Sequence, residues 1–558
     1  MKKVILLALC IPITAAAKEY TIEAPGGVGD IESLTNALVD INKKVLAERN
    51  NSKVWLKPGV YNLRGVSMST DSGTGHLSLQ SLNWGLIAGL GDDPEDTILL
   101  GGGEEDGLGV LCVSGNNSGW MTISNLTVTG GWSSGNGGGI CGNGTTRYSH
   151  LIVSNNYAKG TNGGGGGGCM RGRAEYCLFS NNRVGSGKFG GAFWTDGGGG
   201  QKADFVHGAW HCTFSNNVSG HRGGALYLKG KCVDCTFVGN TAAAGGAIVC
   251  GDVKWTWYGA RFTNSTEILD CKFIGNTLSA WGEGSAVYCT SSSLGVPISN
   301  CVFTANDTLD LDTGGSSVVY KGNLTGCIIT NNISGSKFLY NCNLSRCYVA
   351  NNQGKGAHGK IDGVSSGQVH AYTNSNCIFL NNLQKNYGHI TFGKVVVNCS
   401  YIGNISNDGG NYGGICKKCR MWNTLLFDNW IDEGRPSECA RDIRAHDKTD
   451  GNLPLVMTNC LFATCDSYVK LDANGYVTND GVANTRKVAN MRFVDAANGD
   501  YTPKTSSPMY DAGCKDPWLL SLVGDKDLSG NQRVFSECID IGAYECRNLR
   551  PGFMLILK

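Results

Sequence analysis

The sequence predicts an all-β solenoid, a rod of stacked coils built from short parallel strands. Two phrases alternate through the middle of the chain: Gly-Gly-Ala followed by apolar or aromatic residues, and Cys-x-Phe-x-x-Asn. Self-similarity of this kind indicates a repeat architecture in which each unit buries its apolar side only against its neighbours. The first phrase begins at 190, 223 and 245, with a looser Gly-Ser-Ala copy at 284. The second begins at 177, 212, 235, 271, 301 and 377, with degenerate copies at 327, 347 and 399.

The second phrase has the alternation of a strand with one buried side. Cys and Phe stand two residues apart, so both side chains point to the same side of an extended strand. Asn tolerates the left-handed conformation of a sharp turn, and stacked copies can form an amide ladder from coil to coil. We therefore expect columns of Cys, Phe and Asn along the interior of the rod.

The first phrase supplies a second corner. Its Gly pair gives the positive φ that such a corner needs, and Ala fits where two backbones approach closely. The spacing between Phe positions falls as low as 20, 22 and 23 residues, which is one turn of a parallel β-helix with three short strands. A tetratricopeptide or ankyrin array would need a constant period and helical apolar spacing, and neither is present. Coils should stack about 4.8 Å apart.

Alternation of the two phrases over residues 110–430 resembles the repeats of the polymorphic outer membrane proteins, which are surface-exposed β-helices. That resemblance implies a right-handed, single-stranded parallel β-helix. The members of this family end in a translocating β-barrel, whereas only about 90 residues follow the repeat here, so export through such a barrel is not expected.

Residues 1–17 are typical of a bacterial secretory leader, with two lysines, an apolar run and a final Ala-Ala-Ala. The formal net charge of +1 and the lack of a basic run argue against nucleic acid as a partner. No later stretch approaches the roughly 20 apolar residues of a transmembrane helix. We expect an exported protein at the cell outer membrane, at the cell surface or outside the cell.

Removing Cys10 with the leader leaves 24 of the 25 cysteines. Those at the inward position of successive coils are expected to be small buried apolar side chains, although an even number in an oxidising compartment also allows disulfides. Pairs outside that position, Cys342 with Cys347 and Cys538 with Cys546, are the better disulfide candidates. The two C-x-x-C pairs, at 232–235 and 416–419, lack the second pair that a zinc site needs, so no metal is assigned.

The N-terminal segment 18–62 is predicted to cover the open end of the rod, because an exposed last coil invites edge pairing. A helix over 30–49 would begin at the capping residue Asp30 and carry one apolar stripe, formed by Ile31, Leu34, Leu38, Ile41 and Val45. The phrase Pro-Gly-Val-Tyr at 58–61 resembles the first coil of pectate-lyase-like β-helices. The β-helix itself is expected over 63–470.

Two long intervals interrupt the repeat at the same place in the unit. In both, the surplus follows the Gly-Gly-Ala strand and precedes the Cys strand, so the two insertions should stand about two coils, or roughly 10 Å, apart on one side of the rod. Aromatic walls there would form a groove suited to a sugar chain or an extended peptide. The candidate ligand-binding residues are Trp194, His207, Trp210, Trp255, Trp257 and Tyr258; the alternative is that these side chains fold back on the rod.

Catalysis is the rival hypothesis. β-Helix lyases and glycosidases use carboxylates on adjacent coils, sometimes with Ca²⁺ and a basic side chain. The weak candidates are Asp196, Asp204, Asp252 and Glu267, with Lys202 or His207 as a base and Asp310 with Asp312 as a further pair. No arrangement of these residues recurs on neighbouring coils, so no catalytic residue is assigned.

The chain ends with a multi-part signature over 490–545 that resembles the C-terminal module of bacterial β-helix proteins called choice-of-anchor Q. Asp511, Asp540 and Glu545 are expected to satisfy Arg533 and tight-turn amides while finishing the rod. The segment 525–530 imitates a Ca²⁺ loop, but Ser536 stands where a bidentate Glu is required, so no cofactor is assigned. The module with its apolar tail is expected over 471–558.

These observations favour a monomeric envelope protein that adheres to, or binds, glycan or surface protein through loops on one side of the solenoid. A polysaccharide-degrading enzyme of the pectate-lyase-like superfamily and a structural coat protein without a discrete ligand are the alternatives.

Overall fold

The chain forms the parallel β-helix that the sequence predicts. The computed structural model describes residues 18–546 apart from the segments 45–49, 71–72, 81–84, 115–119, 161–164, 196–205, 251–265, 281, 291–294, 309–316, 336–337, 355–359, 363–372, 385–388, 393–394, 408–414, 418, 433–441, 444–455, 466–468 and 535–538. Within the described residues, strands pair in parallel from one coil to the next in three long sheets, which we name A, B and C.

Sheet A contains 31 strands among the described residues and is folded along its length into two faces, A1 and A2. Met121–Thr129 and Thr146–Ser154 run unbroken through both faces. The other strands of face A1 are Glu19–Ile22, Lys53–Leu56, Leu86–Gly89, Arg173–Glu175, Gly208–Trp210, Lys231–Val233, Glu267–Leu269, Val296–Ser299, Gly322–Thr325, Asn343–Ser345, Thr373–Ser375, Val395–Val397, Arg420–Trp422, Val456–Thr458 and Val482–Ala483. Those of face A2 are Gly59–Asn62, Thr97–Leu100, Leu178–Ser180, Thr213–Ser215, Thr236–Val238, Lys272–Ile274, Val302–Thr304, Ile328–Thr330, Tyr348–Ala350, Ile378–Leu380, Ser400–Ile402, Leu425–Phe427, Leu461–Phe462 and Arg486–Lys487.

Sheets B and C complete the perimeter. Sheet B comprises Leu77–Gln80, Leu111–Ser114, Ile140–Cys141, Cys169–Met170, Phe193–Trp194, Leu226–Leu228, Ile248–Cys250, Val287–Cys289, Val319–Tyr320, Leu339–Tyr340, Lys360–Asp362, His389–Phe392 and Cys416–Lys417. Sheet C comprises Trp132–Ser133, Tyr157–Ala158, Arg183–Val184, Val218–Arg222, Thr241–Ala244 and Thr277–Leu278, then Ile333–Ser334, Gln353–Gly354, Leu383–Gln384, Ile405–Asn407 and Trp430–Asp432.

One coil visits the three sheets in a fixed order. After Leu226–Leu228 in sheet B, the chain forms Lys231–Val233 in face A1 and Thr236–Val238 in face A2, then Thr241–Ala244 in sheet C. The three expected strands per turn are therefore present as three sheets, but the strand of sheet A is bent in two at a residue with positive φ. In this coil that residue is Asp234, at φ 49°.

The predicted interior columns are confirmed. Phe179, Phe214, Phe237, Phe273 and Phe303 stack ring over ring, with centroids 4.9, 4.9, 5.0 and 4.7 Å apart. The Cys positions of the repeat are buried free thiols at 177, 212, 235, 271, 301, 327, 347, 377 and 399. In these coils sulfur and phenyl rings fill the core together.

The predicted Cys342–Cys347 disulfide is wrong. The Cys342 sulfur lies 3.6 Å from the Val319 carbonyl oxygen, and the Cys347 sulfur lies 3.4 Å from that of Leu324. The two cysteines sit on either side of the strand Asn343–Ser345, so each sulfur lies against a different strand of the preceding coil. Cys538, the expected partner of Cys546, lies outside the described residues.

The amide ladder is confirmed, with one correction. Asn240 donates from Nδ2 to Asn276 Oδ1 and to the Phe214 carbonyl, at 3.0 Å each, and its main-chain N–H bonds to the same Asn276 Oδ1. The left-handed residue is the one before each rung, such as Asn216 (φ 54°) or Gly239 (φ 62°), and not the rung itself. The rungs are Asn156, Asn182, Asn217, Asn240, Asn276, Asn306, Asn332, Asn352, Asn382, Asn404 and Asn429.

A carboxylate ends this ladder. Asp442 Oδ1 accepts from the main-chain N and the Nδ2 of Asn429, and Oδ2 accepts from the main-chain N of Ala463 and Thr464, all at 2.8–2.9 Å. Each rung that accepts from the rung before it turns its Oδ1 toward the N-terminal end of the rod, so the aligned amide dipoles present their positive end at the C-terminal end. An acceptor-only side chain with negative charge complements that end.

The N-terminal cap is a shorter helix than predicted. Helix α1 spans Ile31–Lys43, and the Asp30 side chain accepts a hydrogen bond from the Ser33 main-chain N at 3.0 Å. Leu34, Leu38 and Ile41 are buried in the same core cluster as the first coils, so the helix covers the end of the rod. It ends at Lys43, since Lys44 is extended. No described helix is both long and apolar enough to cross a bilayer.

The C-terminal segment packs on the flank of the rod, which corrects the expectation that it finishes the end. Met491, Phe493, Met509 and Ile541 form an apolar cluster with outward side chains of face A2, which are Ala350, Ile378, Leu380, Ile402, Leu425 and Leu461. Helix α2, Pro517–Val523, covers Val397 and Trp422 of face A1. The rod and this segment thus share a side-on interface, while sheet A itself continues to Lys487.

The second glycine of the first phrase is predicted to tolerate no side chain. A Cβ on Gly224 would lie 2.1 Å from the Gly246 carbonyl oxygen, and one on Gly246 would lie 2.1 Å from that of Ser285. Gly224→Ala should therefore push two coils apart and destabilise the fold by about 1–3 kcal/mol. Chemical denaturation followed by circular dichroism measures this loss.

Gly275→Asn is the matched control. Gly275 has φ 60°, a Cβ at this position would meet nothing within 4 Å, and Asn occupies the equivalent position before other rungs, for example Asn181 and Asn216. This variant should unfold within about 0.5 kcal/mol of the parent. Equal losses in the two variants would contradict the close-approach argument.

Candidate functional site

The two insertions interrupt the described chain at the same place in the coil. Residues 196–205 connect Phe193–Trp194 of sheet B to Gly208–Trp210 of face A1, and residues 251–265 connect Ile248–Cys250 to Glu267–Leu269 in the same way. The two strands that follow the insertions, Gly208–Trp210 and Glu267–Leu269, are two coils apart in face A1, and Lys231–Val233 lies between them. The candidates Asp196, Lys202, Asp204, Asp252, Trp255, Trp257 and Tyr258, and the pair Asp310 and Asp312, lie outside the described residues.

Trp194 and His207 flank the first insertion. Trp194 is half-buried on the outer side of sheet B, with its ring centroid 6.3 Å from that of Tyr227 and 5.9 Å from the Arg171 guanidinium. The next residue, Thr195, donates to the Tyr227 carbonyl at 2.9 Å and accepts from the Lys229 main-chain N at 2.7 Å. His207 is only 3% exposed, so it lies in the wall of the rod.

Trp210 lies on the outer side of face A1, among arginines. The Arg173 guanidinium stacks 4.0 Å from the Trp210 ring and forms an ion pair with Glu175. On the preceding coil, Arg147 is the register partner of Arg173 and stacks 3.4 Å from the Trp120 ring. Burial, followed by the positive charge of Arg173, lowers the pKa of Arg147. Among the described residues, no carboxylate forms an ion pair with Arg147.

A column of exposed rings runs along the bend between faces A1 and A2. His150, Tyr176 and His211 stack with centroids 5.1 and 4.8 Å apart and planes within 18° and 11°. All three residues have positive φ, between 51° and 54°, and Tyr176 is 54% exposed. His211 Nδ1 lies 2.9 Å from the Asp234 carboxylate, which continues the column on the next coil. We call His150, Tyr176, His211 and Asp234 the ring column.

The ring column was missed at the sequence level, although its signal is simple. Each member immediately precedes the Cys position of the second phrase, or its Leu equivalent in the coil of His150. Other coils carry Asp270 or Asn300 at this bend, residue types that favour the left-handed conformation. Aromatic rings at a position where the backbone prefers Asn or Asp indicate a role for the ring itself.

The described carboxylates of this surface are all engaged. Glu267 pairs with Lys231 at 2.9 Å, and Asp270 accepts from Asn300 at 3.2 Å, while Glu175 and Asp234 contact Arg173 and His211 as described above. Glu267 is thus the one candidate catalytic carboxylate whose position the structure shows, and it pairs with a lysine. Within the described part of the chain, no group of three or more His, Cys, Asp or Glu side chains could hold a metal ion.

The arrangement can stack flat rings and pair charges over a surface several coils long. Trp120, Arg147, Arg173 and Trp210 provide one strip on face A1, and the ring column provides a parallel strip at the bend. Both strips lie on consecutive coils, so contacts to a ligand would repeat along the rod axis.

No known family model matches the sequence, and no curated protein matches it significantly. Solved structures of similar shape include the tailspike gp49 of Acinetobacter baumannii bacteriophage Fri1, a capsular polysaccharide depolymerase, at 13% identity and TM-score 0.29, covering 61% of this chain and 57% of that one. Pectate lyase Pel9A matches at 11% identity and TM-score 0.22, with 95% and 97% coverage. PfbA, a surface adhesin of Streptococcus pneumoniae, matches at 12% and 0.24, with 84% and 100% coverage. Scores this low carry no argument about function.

Proposed function

We propose that this chain is an exported bacterial envelope protein that binds a glycan along the outer side of sheet A. The observation that carries the proposal is the pair of parallel strips on consecutive coils: the stacked rings of the ring column, and the arginine-covered tryptophans beside them. The stacked rings cover one another's faces, so it is their edges that offer apolar contact to pyranose rings, while neighbouring charged groups bond to hydroxyls.

The geometry favours a ligand lying lengthwise. Neighbouring coils are about 4.8 Å apart, and the rings of the column repeat at nearly that distance. A chain laid parallel to the rod axis therefore meets a new ring at each coil. The insertions 196–205 and 251–265 join face A1 beside this track, so their Trp255, Trp257 and Tyr258 side chains are proposed to contact the same ligand.

Two sequence features support the envelope location. Residues 1–17 have the form of a secretory leader, and the repeats resemble those of surface-exposed polymorphic outer membrane proteins. The C-terminal signature resembles the choice-of-anchor Q module of bacterial β-helix proteins, which carry varied attachment tails. We propose that the chain is monomeric and held at the surface without a transmembrane helix.

The enzyme alternative depends on Asp196, Asp204 and Asp252. If these carboxylates converge on one scissile bond, incubating the protein with pectin or alginate would release unsaturated products. Detection of such products would favour a lyase over a binding protein. A coat protein without ligand would show neither products nor binding.

Tyr176→Asn and Trp210→Ala test the track. Asn keeps the left-handed backbone of residue 176 while removing its ring, and each ring contact is worth about 0.5–1.5 kcal/mol, so affinity should fall roughly 2–12-fold per variant. Glycan arrays identify the ligand and titration calorimetry measures the loss. The melting temperature should change little for Tyr176→Asn, because that ring is exposed.

Trp430→Ala is the matched control, since Trp430 is 44% exposed but lies on sheet C, away from the track. Its glycan affinity should equal that of the parent. Equal affinity in all three variants, or a loss confined to Trp430→Ala, would refute the proposed surface.

A further inference from the structure

Cys250 and Cys289 meet inside the rod in a way that the cysteines of the Cys-x-Phe-x-x-Asn repeat do not. They are register partners at the ends of neighbouring sheet B strands, Ile248–Cys250 and Val287–Cys289. Their sulfur atoms are 3.3 Å apart, and the residues are 1% and 0% exposed. On the preceding coil, the register partner of Cys250 is Leu228. Cysteine therefore occupies, on two consecutive coils, a position that carries an aliphatic side chain one coil earlier.

The cysteines of the repeat have a different environment. Each approaches the carbonyl oxygen of the residue two positions earlier, as Cys212 does with Trp210 at 3.1 Å and Cys271 does with Leu269 at 3.1 Å. Those thiols have an S–H acceptor on their own coil. For Cys250 and Cys289, the short contact is the sulfur of the neighbouring coil.

The backbone already has the separation of a disulfide. Paired residues on adjacent parallel strands have Cα atoms about 4.8 Å apart, inside the usual disulfide range of about 4.4–6.8 Å. The two sulfurs need to approach by little more than 1 Å to reach the bond length of about 2.05 Å. Rotation of the two side chains can supply this movement without shifting a strand.

We propose that Cys250 and Cys289 form a disulfide that staples two consecutive coils at the foot of the second insertion. The thiolate of one cysteine attacks a disulfide of an exchange partner, R–S–S–R, and releases one R–SH; the second cysteine then attacks the mixed disulfide and releases the other R–SH. The two cysteines lose two electrons and two protons in total, and the partner disulfide is reduced to two thiols.

The bond forms while the coils assemble. The sulfur contact with Cys250, together with burial, raises the pKa of Cys289, and a buried thiol is a poor nucleophile. Once the rod has closed, reagents cannot reach either sulfur, so the same burial that prevents late oxidation also protects the finished bond.

The staple has a structural consequence at the insertion. Residues 251–265 begin directly after Cys250, so the bond would tie the residue before that connection to the next coil. This inference is independent of glycan binding, because it concerns the closing of the rod and not its outer surface.

Peptide mapping of the refolded wild-type chain tests the proposal. Reduced, unfolded protein is refolded in a mixture of oxidised and reduced glutathione, alkylated after denaturation and digested. The expected result is a linked Cys250–Cys289 peptide in most molecules. Cys232 and Cys271 serve as the internal control, since their sulfurs are 3.7 Å apart but they are not register partners; both should be alkylated as thiols.

Thermal unfolding adds a second measurement. Wild type refolded without an oxidant should melt several degrees lower than wild type refolded with one. Cys250→Ala should show the same melting temperature in both conditions. Alkylation of both cysteines after oxidative refolding, or random linkage among many cysteines, would overturn the proposal. The mapping needs no variant, so a folding defect in Cys250→Ala leaves the decision unaffected.

Discussion

Asn276→Ala should be among the most damaging single substitutions in the rod. Asn276 Oδ1 accepts from the main-chain N and the Nδ2 of Asn240, and its own Nδ2 donates to Asn306 Oδ1 and the Phe237 carbonyl, with each distance 3.0 Å. Alanine removes all four of these hydrogen bonds. Asn306 Oδ1 keeps the Asn276 main-chain N–H and Asn240 Nδ2 keeps the Phe214 carbonyl, but the buried main-chain N–H of Asn240 loses its acceptor. An unsatisfied buried polar group costs about 1–3 kcal/mol, so the combined loss should be on the order of 4 kcal/mol.

The measurement is the denaturation midpoint, combined with hydrogen exchange of amides on the two neighbouring coils. Asn323→Ala is the control, because Asn323 lies half-buried on the outer side of face A1 and outside the ladder, where its Oδ1 accepts from Asn343 Nδ2 at 2.8 Å and its Nδ2 lies 3.4 Å from the Gly295 carbonyl. That variant should lose about 1 kcal/mol or less. If both variants unfold at the same midpoint, the ladder does not stabilise the rod.

The sequence predicts the interior of this protein well because the interior repeats. Cys and Phe two residues apart can share a side only in an extended strand, and copies such as Phe214 and Phe237 must stack if the coils are in register. The predicted left-handed residue is the final Asn of Cys-x-Phe-x-x-Asn, which is one residue too late, although the sequence indicates the correct position. Asn occupies both positions in 216–217, but Gly replaces only the first of them in Gly239-Asn240 and Gly275-Asn276.

The exterior could not be predicted in the same way. The helix was predicted to reach 49, and nothing in the sequence after Lys43 resembles a stop signal such as Gly or Pro before Asn50. The ring column combines one residue from each of four coils, so its members are 26, 35 and 23 positions apart and lie in no local motif. The convergence of Trp255, Trp257 and Tyr258 with this column stays a prediction.

The side-on packing of the C-terminal segment depends on contacts that are long-range in the chain. Asn398 donates to the Asp540 carbonyl, and Asn423 accepts from the Cys514 main-chain N and donates to its carbonyl. These asparagines occupy the same bend as Tyr176 and His211 in earlier coils. One column of bend residues therefore has two uses: an exposed surface in the N-terminal half, and a docking surface in the C-terminal half.

Arg533 is the centre of that docking surface. Its side chain is fully buried, with Nη1 2.6 Å from the Glu545 carboxylate and Nε and Nη2 at 3.0 and 2.8 Å from Asn376 Oδ1. The expected pairing of Arg533 with Glu545 is confirmed, while Asp540 accepts from the turn amides of Asp511 and Cys546. Arg533→Ala would leave Glu545 and Asn376 buried without their partner, at a cost of about 3–5 kcal/mol.

The stability that Arg533→Ala loses should be larger at high pH than at low pH. Burial raises the pKa of Glu545 to about 8, and the attraction to Arg533 opposes that shift without cancelling it. A carboxyl whose pKa is higher in the folded state than in the unfolded state favours folding most at low pH, and this contribution is lost as the pH rises through about 8. Without Arg533 the opposing attraction is gone, so the defect of Arg533→Ala should be larger at pH 9 than at pH 5.

Arg492→Ala is the matched control, because Arg492 belongs to the same segment but is exposed, and its side chain donates to the Ser506 carbonyl at 2.9 Å, not to a buried carboxylate. Chemical denaturation at pH 5 and pH 9 should show a small, pH-independent loss for this variant. The double variant Arg533→Met with Glu545→Gln should recover part of the stability that Arg533→Ala loses, since no uncompensated charge remains buried. A defect of Arg533→Ala that is the same at both pH values, or a double variant no better than the single one, would show that the buried ion pair does not hold this segment to the rod.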